Sequence, residues 1–125
     1  MRHRFDSHRR IFIHTLDGAL TFDQFKAEHR RCYDAADPGT LERVCWELGE
    51  HRLLWPYLAI ETPDLAFSQW LAERRPRGRT AFVTTLETNR VLLRQLRGAH
   101  HWSTLWAFFD DSATALDWLT QTSDS

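Results

Sequence analysis

Cysteine is scarce in this chain. Cys32 and Cys45 are the only two, thirteen positions apart. They form no C-x-x-C pair, so neither a zinc ribbon nor a thioredoxin-type redox motif is present. One disulfide is arithmetically possible, but two reduced, buried thiols, each behaving as a small hydrophobe, suit a cytoplasmic protein better. Lysine is scarcer still. Lys26 stands alone among 16 basic residues, a bias that a GC-rich coding sequence explains. Net charge is nearly absent, with 16 basic residues against 17 acidic, and this excludes the basic balance of a whole-domain nucleic-acid binder. Long apolar runs are missing too. No stretch approaches the roughly twenty residues of a membrane span. The basic start Met1-Arg2-His3-Arg4-Phe5 is not followed by an apolar segment long enough for export. These absences predict one cytoplasmic domain over residues 1–125, with no integral membrane association, no nucleic-acid partner and no cofactor.

Catalytic and metal signatures are equally sparse. Seven histidines are present, yet no H-x-x-x-H or H-E-x-x-H occurs. His100 and His101 are adjacent, and their side chains diverge in most backbone geometries. His29 falls on the apolar face of a helix, where a hydrogen-bonded core histidine is the default, so no metal site is expected. No G-x-S-x-G elbow, G-x-G-x-x-G or Walker loop is found. Cys32 within a helix and Cys45 within a buried strand are poor settings for an activated thiolate. Asp110-Asp111 sit where acidic residues favour a helix start. No catalytic residue is assigned, and the chain reads as a non-enzyme.

What the sequence does contain is a regular alternation of elements. Six tryptophans and eight phenylalanines are many for 125 residues and leave aromatic surface to spare. Residues Arg10 to Leu16 read as a strand closed by the turn Asp17-Gly18, with a further strand over 5–9 able to pair with it as a hairpin. Thr21 and Gln24 form a capping box for a helix whose inner face carries Phe22, Phe25, His29, Cys32, Tyr33 and Ala36. Leu41 to Leu48 holds the buried central strand V-C-W. Thr62 as N-cap and Pro63 at N1 start a second helix with Leu65, Ala66, Trp70 and Ala72 inward. Arg74 to Arg79 is a solvated basic loop. Thr80 to Thr84 is a strand, and Thr84 with Glu87 forms a second capping box. The next helix presents Val91 to Leu96 and ends at Gly98. Leu105 to Phe109 is the last strand. One of Asp110, Asp111 or Ser112 caps a final helix containing Ala113, Leu116 and Leu119, before a frayed tail at 121–125. The predicted fold is α/β, with a four- to five-stranded mixed, mainly parallel sheet and about four helices.

Four stretches carry a resemblance: Gly18 to Thr21, the strand V-C-W-E-L, Gly78 to Thr84, and Phe108 to Leu119. Together they resemble the bacterial SpoIIAA-like group, mostly of unknown function. That group implies the fold of the sulfate-transporter and anti-sigma-factor-antagonist (STAS) domains, with affinity to the lipid-transfer CRAL-TRIO fold. The resemblance spans about residues 10 to 119. Anti-sigma-factor antagonists carry a phosphorylatable serine at the helix after the central strand. No serine lies between Leu41 and Phe67 here, and Thr62 is the one Ser/Thr-type hydroxyl, hence the only phosphosite candidate.

The most unusual stretch is Leu53 to Ile60, L-L-W-P-Y-L-A-I. It is almost wholly apolar but has Pro56 in its middle, which argues for an irregular loop or a short edge element. Leu54, Trp55, Tyr57, Leu58 and Ile60 are the candidate contact residues. They complete the core, form a homodimer contact, or line a cleft for an apolar, lipid-like ligand. The leading expectation is a STAS-like domain acting through protein–protein contact as a homodimer. A small carrier or sensor of an apolar ligand is the alternative.

Overall fold

A computed structural model describes residues 1–62, 64–100 and 104–121, and of Pro38, Tyr57, Glu61 and His100 the backbone only. The expectations for Pro63, for the His101 side chain and for the tail beyond Gln121 lie outside the described residues. The architecture is α/β. Its main sheet has five strands in the order β1 (Arg2–Asp6), β2 (Ile11–Thr15), β4 (Arg43–Gly49), β6 (Arg79–Thr84) and β7 (Leu105–Phe109). β1 is antiparallel to β2, and the remaining pairs are parallel. A second, two-stranded parallel sheet pairs β3 (Leu20–Thr21) with β5 (Leu53–Leu54). The helices are α1 (Phe22–Tyr33), α2 (Tyr57–Glu61), α3 (Leu65–Arg74), α4 (Glu87–His100) and α5 (Ser112–Thr120), with a 3-10 turn at Pro38–Leu41.

Strand order follows chain order, so each crossover steps the same way across the sheet. A common right-handed crossing then places every crossover helix on one face. The packing agrees. Phe25 and Tyr33 of α1, Ile60 of α2, Phe67 and Leu71 of α3, and Leu93 and Leu96 of α4 share one core with Val44, Trp46, Leu48 and Phe82 from the strands. The opposite face, Ile11, Ile13, Cys45, Ala81 and Val83, is covered by Ala115 and Leu119 of α5. Glu47 fastens this layer, because its two carboxylate oxygens accept from Thr15 Oγ1 and Ser112 Oγ, each at 2.6 Å.

The first capping box is present. Thr21 Oγ1 accepts from the Gln24 N–H at 3.1 Å, and the Thr21 N–H donates to Gln24 Oε1 at 2.9 Å. Asp111 is the cap of α5, accepting from the Thr114 N–H at 2.8 Å. Several boundaries differ from expectation, each for a local reason. The first strand is 2–6 rather than 5–9, because the Asp6 carboxylate accepts from the His8 and Arg9 N–H groups and turns the chain there. Pro56 begins a helix instead of interrupting an element: its carbonyl accepts from Ala59 and Ile60, and proline needs no donor at a helix start. Thr62 closes α2, its N–H donating to Leu58 O, and the N-cap of α3 is Asp64, which accepts from the Phe67 N–H at 3.0 Å. The register of α3 shifts accordingly: Phe67 and Leu71 are buried while Leu65 is 69% exposed. The second capping box does not form. Thr84 Oγ1 accepts from the Leu86 N–H instead, and Glu87 faces Arg94. α4 runs through Gly98 to His100. α5 contains Ala113 as expected, and its buried side chains are Ala115 and Leu119.

Gly78 lies at φ 130°, and a Cβ there would stand 2.4 Å from the Glu42 carbonyl oxygen. The Arg79 N–H donates to that same oxygen at 2.8 Å, so the approach is part of the entry to β6. Gly78→Ala combines backbone strain with a collision against main chain and is expected to destabilise by more than ~1 kcal/mol, read from urea unfolding. A second prediction concerns acid. His29 is buried, and desolvation lowers its pKa to about 3 from 6.5. In the unfolded chain the imidazole protonates near 6.5, so below that pH unfolding takes up a proton. The His29 contribution is full above pH 6.5 and falls progressively as pH drops toward 3. Unfolding free energy between pH 6.5 and 4.5 should decline, and the slope should be shallower in His29→Gln.

Candidate functional site

The apolar stretch 53–60 divides into an inner and an outer half. Leu53, Trp55 and Ile60 are buried, whereas Leu54 is 51% and Leu58 73% exposed. The Tyr57 side chain lies outside the described residues. Pairing of β5 with β3 fixes the alternation: Leu53 sits opposite Leu20 and turns inward, and Leu54 sits opposite Thr21 and turns outward. Trp55 packs on Phe22 and Phe25, with ring centroids 5.2 and 4.9 Å away. Its indole N–H is buried with no acceptor among the described residues. Asn89 of α4 holds the stretch in place. Its Oδ1 accepts from the Leu53 N–H at 3.1 Å, and its Nδ2 donates to His51 O at 2.9 Å and Thr84 Oγ1 at 3.0 Å.

Beside Leu58 runs an open groove of about 470 Å³, floored by Phe22, Pro56 and Ala59 and rimmed by Thr62, Lys26 and Asp64. Lys26 Nζ lies 3.1 Å from Asp64 and 5.1 Å from the Phe22 ring centre. Thr62 is exposed on this rim. Hydrogen bonds from the Phe67 N–H and then from Lys26 hold the Asp64 carboxyl below the usual carboxylate range.

A second cluster lies between β1, β2 and α1. His14 is fully buried and stacked 4.0 Å from Trp46, ring centre to ring centre. Its Nε2 is 2.5 Å from the Tyr33 hydroxyl, and its Nδ1 is 2.7 Å from His3 Nδ1. His3 Nε2 lies 2.7 Å from a Glu28 oxygen, at ion-pair distance without hydrogen-bond alignment. Burial drives the His14 pKa well below its ordinary value and pushes the Tyr33 phenol up. Both are neutral near pH 7. Cys32, half-buried, brings a thiol to within 4.8 Å of ligand atoms on His3 and His14. His29 is a core histidine as expected, its Nδ1–H donating to Phe25 O at 2.8 Å.

The basic run is a solvated loop only at Pro76 and Arg77, which are exposed. Arg75 is 5% exposed and donates to Leu41 O at 2.7 Å, Thr80 Oγ1 at 2.6 Å and Arg79 O at 3.0 Å. Arg74 donates to Asp34 O, and Arg79 to Trp118 O and Gln121 O. Arg90, Arg94 and Arg97 are likewise engaged, with Asp110, Glu87 and Thr104 O. Apart from Arg94, whose partner Glu87 is on the same helix, these guanidiniums pin one segment to another. Desolvation lowers the Arg75 pKa to about 10, so it stays cationic at neutral pH. With Phe25, His29, Trp46, Thr80 and Trp106 it lines a cavity of about 20 Å³, room for roughly one water molecule.

No protein family, curated protein or solved structure matches the chain. No helix among the described residues is long and apolar enough to cross a membrane. The sequence pointed to the apolar stretch but missed the histidine cluster. A first strand drawn over 5–9 leaves His3 out, whereas the observed register sets His3 directly opposite His14. Alternation in R-H-R-F and I-F-I-H would have shown both histidines on one face.

Asn89→Ala removes three hydrogen bonds and strands the buried Leu53 N–H. A loss of about 1–3 kcal/mol in urea unfolding is expected, together with faster amide exchange at Leu53 than in the unsubstituted protein.

Proposed function

We propose that this chain is a STAS-like, non-enzymatic domain that acts through protein–protein contact, pairing with a second copy of itself across the groove beside α2. One observation carries the reading. Leu54, Pro56 and Leu58 stand exposed on a stretch whose Leu53, Trp55 and Ile60 are buried, and Leu58 flanks a groove with an apolar floor. The rim suits a twofold contact. Lys26 lies beside Asp64 and within 3.9 Å of Asp23, whose carboxylate is almost fully exposed. Two copies related by a dyad would present the lysine of each to the carboxylates of the other, as an isologous interface requires. A charged rim around an aliphatic centre is the usual interface anatomy.

The carrier reading ranks second. The groove is open to solvent along its length, and the enclosed cavity beside Arg75 is too small for an acyl chain. A co-purified apolar molecule seen by native mass spectrometry would favour it.

Because Trp55 is core, Trp55→Asp would unfold the protein and report nothing about association. Leu58→Asp is the informative substitution, since Leu58 is already 73% exposed. Sedimentation at rising concentration should give a dimer for the unsubstituted protein and a monomer for Leu58→Asp, with the same unfolding midpoint at low concentration. A monomer at high micromolar concentration, or a dimer indifferent to Leu58→Asp, would overturn the proposal.

A further inference from the structure

We propose that His3, His14 and Cys32 form a zinc site, each histidine binding through Nδ1, the cysteine through Sγ, and a water molecule taking the fourth position. The site goes beyond the contact function and does not depend on it.

Three elements converge to make it. His3 and His14 are opposed partners on β1 and β2, and Cys32 comes from the last turn of α1 above them. One ligand atom from each lies within 4.8 Å of the other two. The two Nδ1 atoms face each other and are the nitrogens an ion would bridge, while each Nε2 lies beside a neighbouring oxygen. His3 Nε2 is 2.7 Å from the Glu28 carboxylate and His14 Nε2 is 2.5 Å from the Tyr33 hydroxyl. Metal-bound histidines typically hold their other ring nitrogen in this way, against a carboxylate or another acceptor that fixes the tautomer. Glu28 stands one helical turn before Cys32, so a single helix supplies the thiol and the orienting carboxylate. Two imidazoles and a thiolate are a donor set that zinc accepts, with the fourth position left open.

Binding requires two adjustments: the Cys32 Sγ, within 4.8 Å of the nitrogens, must close to about 3.6 Å, and the rings must part. The two Nδ1 atoms are 2.7 Å apart. Two nitrogens bound at about 2.0–2.1 Å to a tetrahedral ion stand about 3.3 Å apart, so the rings must part by about 0.6 Å. Without an ion one ring proton lies between the two Nδ1 atoms, linking His3 to His14 and through it to Tyr33, and binding shifts that proton to an Nε2. On binding, the Cys32 thiol loses its proton to solvent. His14 carries its ring proton on Nε2 and donates it to Tyr33 O, and His3 carries its own on Nε2 toward Glu28. Cys32 is only half-buried, which leaves an approach for the ion and the water. His14 is locked by Trp46 and Tyr33, so the site is rigid on the sheet side.

The test uses the full chain, reduced and chelator-treated, titrated with Co²⁺ and then Zn²⁺. One equivalent of Co²⁺ should produce thiolate-to-cobalt charge-transfer absorption in the near ultraviolet, displaced by Zn²⁺, and Zn²⁺ should raise the unfolding temperature. Cys32→Ser should abolish the charge-transfer band. His3→Ala, on an edge strand, should weaken Co²⁺ binding at least tenfold, with His3→Gln as a second variant that keeps the side-chain bulk. His8→Ala, in the exposed turn, should change nothing. The site is overturned if the unsubstituted protein gives no charge-transfer band, or if the band survives Cys32→Ser, or if affinity is unchanged in both His3 variants.

Discussion

Three crossovers step in one direction across the sheet, and that shared handedness governs where everything else goes. Because each β–α–β unit turns the same way, α1, α2, α3 and α4 all land on one face. That face must then be thick and aromatic, with Trp46 of the central strand at its middle and Phe25, His14 and His29 packed around it. The other face is left to α5, which needs only small or branched partners such as Ala81, Cys45 and Ile13. The same constraint lays α1 over β1 and β2, and this is what brings His3, His14, Glu28, Cys32 and Tyr33 together. The surplus of aromatic residues is thus mostly structural, spent on one deep layer.

Burial of polar groups in that layer is managed by pairing. His14 and His29 are kept neutral by desolvation, and each has a hydrogen-bond partner. Arg75 stays charged but is satisfied by two carbonyls and a hydroxyl at the junction of α3, β6 and the 3-10 turn. A buried guanidinium bonded to neutral acceptors adds less stability than specificity of arrangement, since desolvation offsets much of the gain. The arginine-rich segments therefore read differently in three dimensions. Arg74, Arg75, Arg79 and Arg97, which look like parts of a basic patch, instead donate to main-chain carbonyls.

The two proposals occupy different ends of α1. Phe22 and Lys26, near its start, form one wall of the groove beside α2, and Glu28, Cys32 and Tyr33, toward its end, face the strand histidines. One helix thus carries an outward contact surface and an inward chemical cluster, split along its length, so either proposal can fail without the other.

Much of the fold was legible from the chain. Short, nearly continuous apolar runs marked β2, β4, β6 and β7, and side-chain caps marked the starts of α1 and α5, because these signals are local and act through near neighbours. The apolar stretch 53–60 also stood out in the chain, though not which of its residues would be exposed. Tertiary structure decided the rest. Whether Trp55 or Leu58 faces water depends on pairing between β3 and β5, some thirty residues apart. Whether Thr62 or Asp64 caps α3 depends on Pro56 having started α2 first. Whether Arg75 is solvated depends on acceptors at Leu41 and Thr80, and whether His3 meets His14 depends on the register of a hairpin. Local propensity specifies elements, but burial and side-chain partners are set by long-range contacts that a linear pattern does not encode.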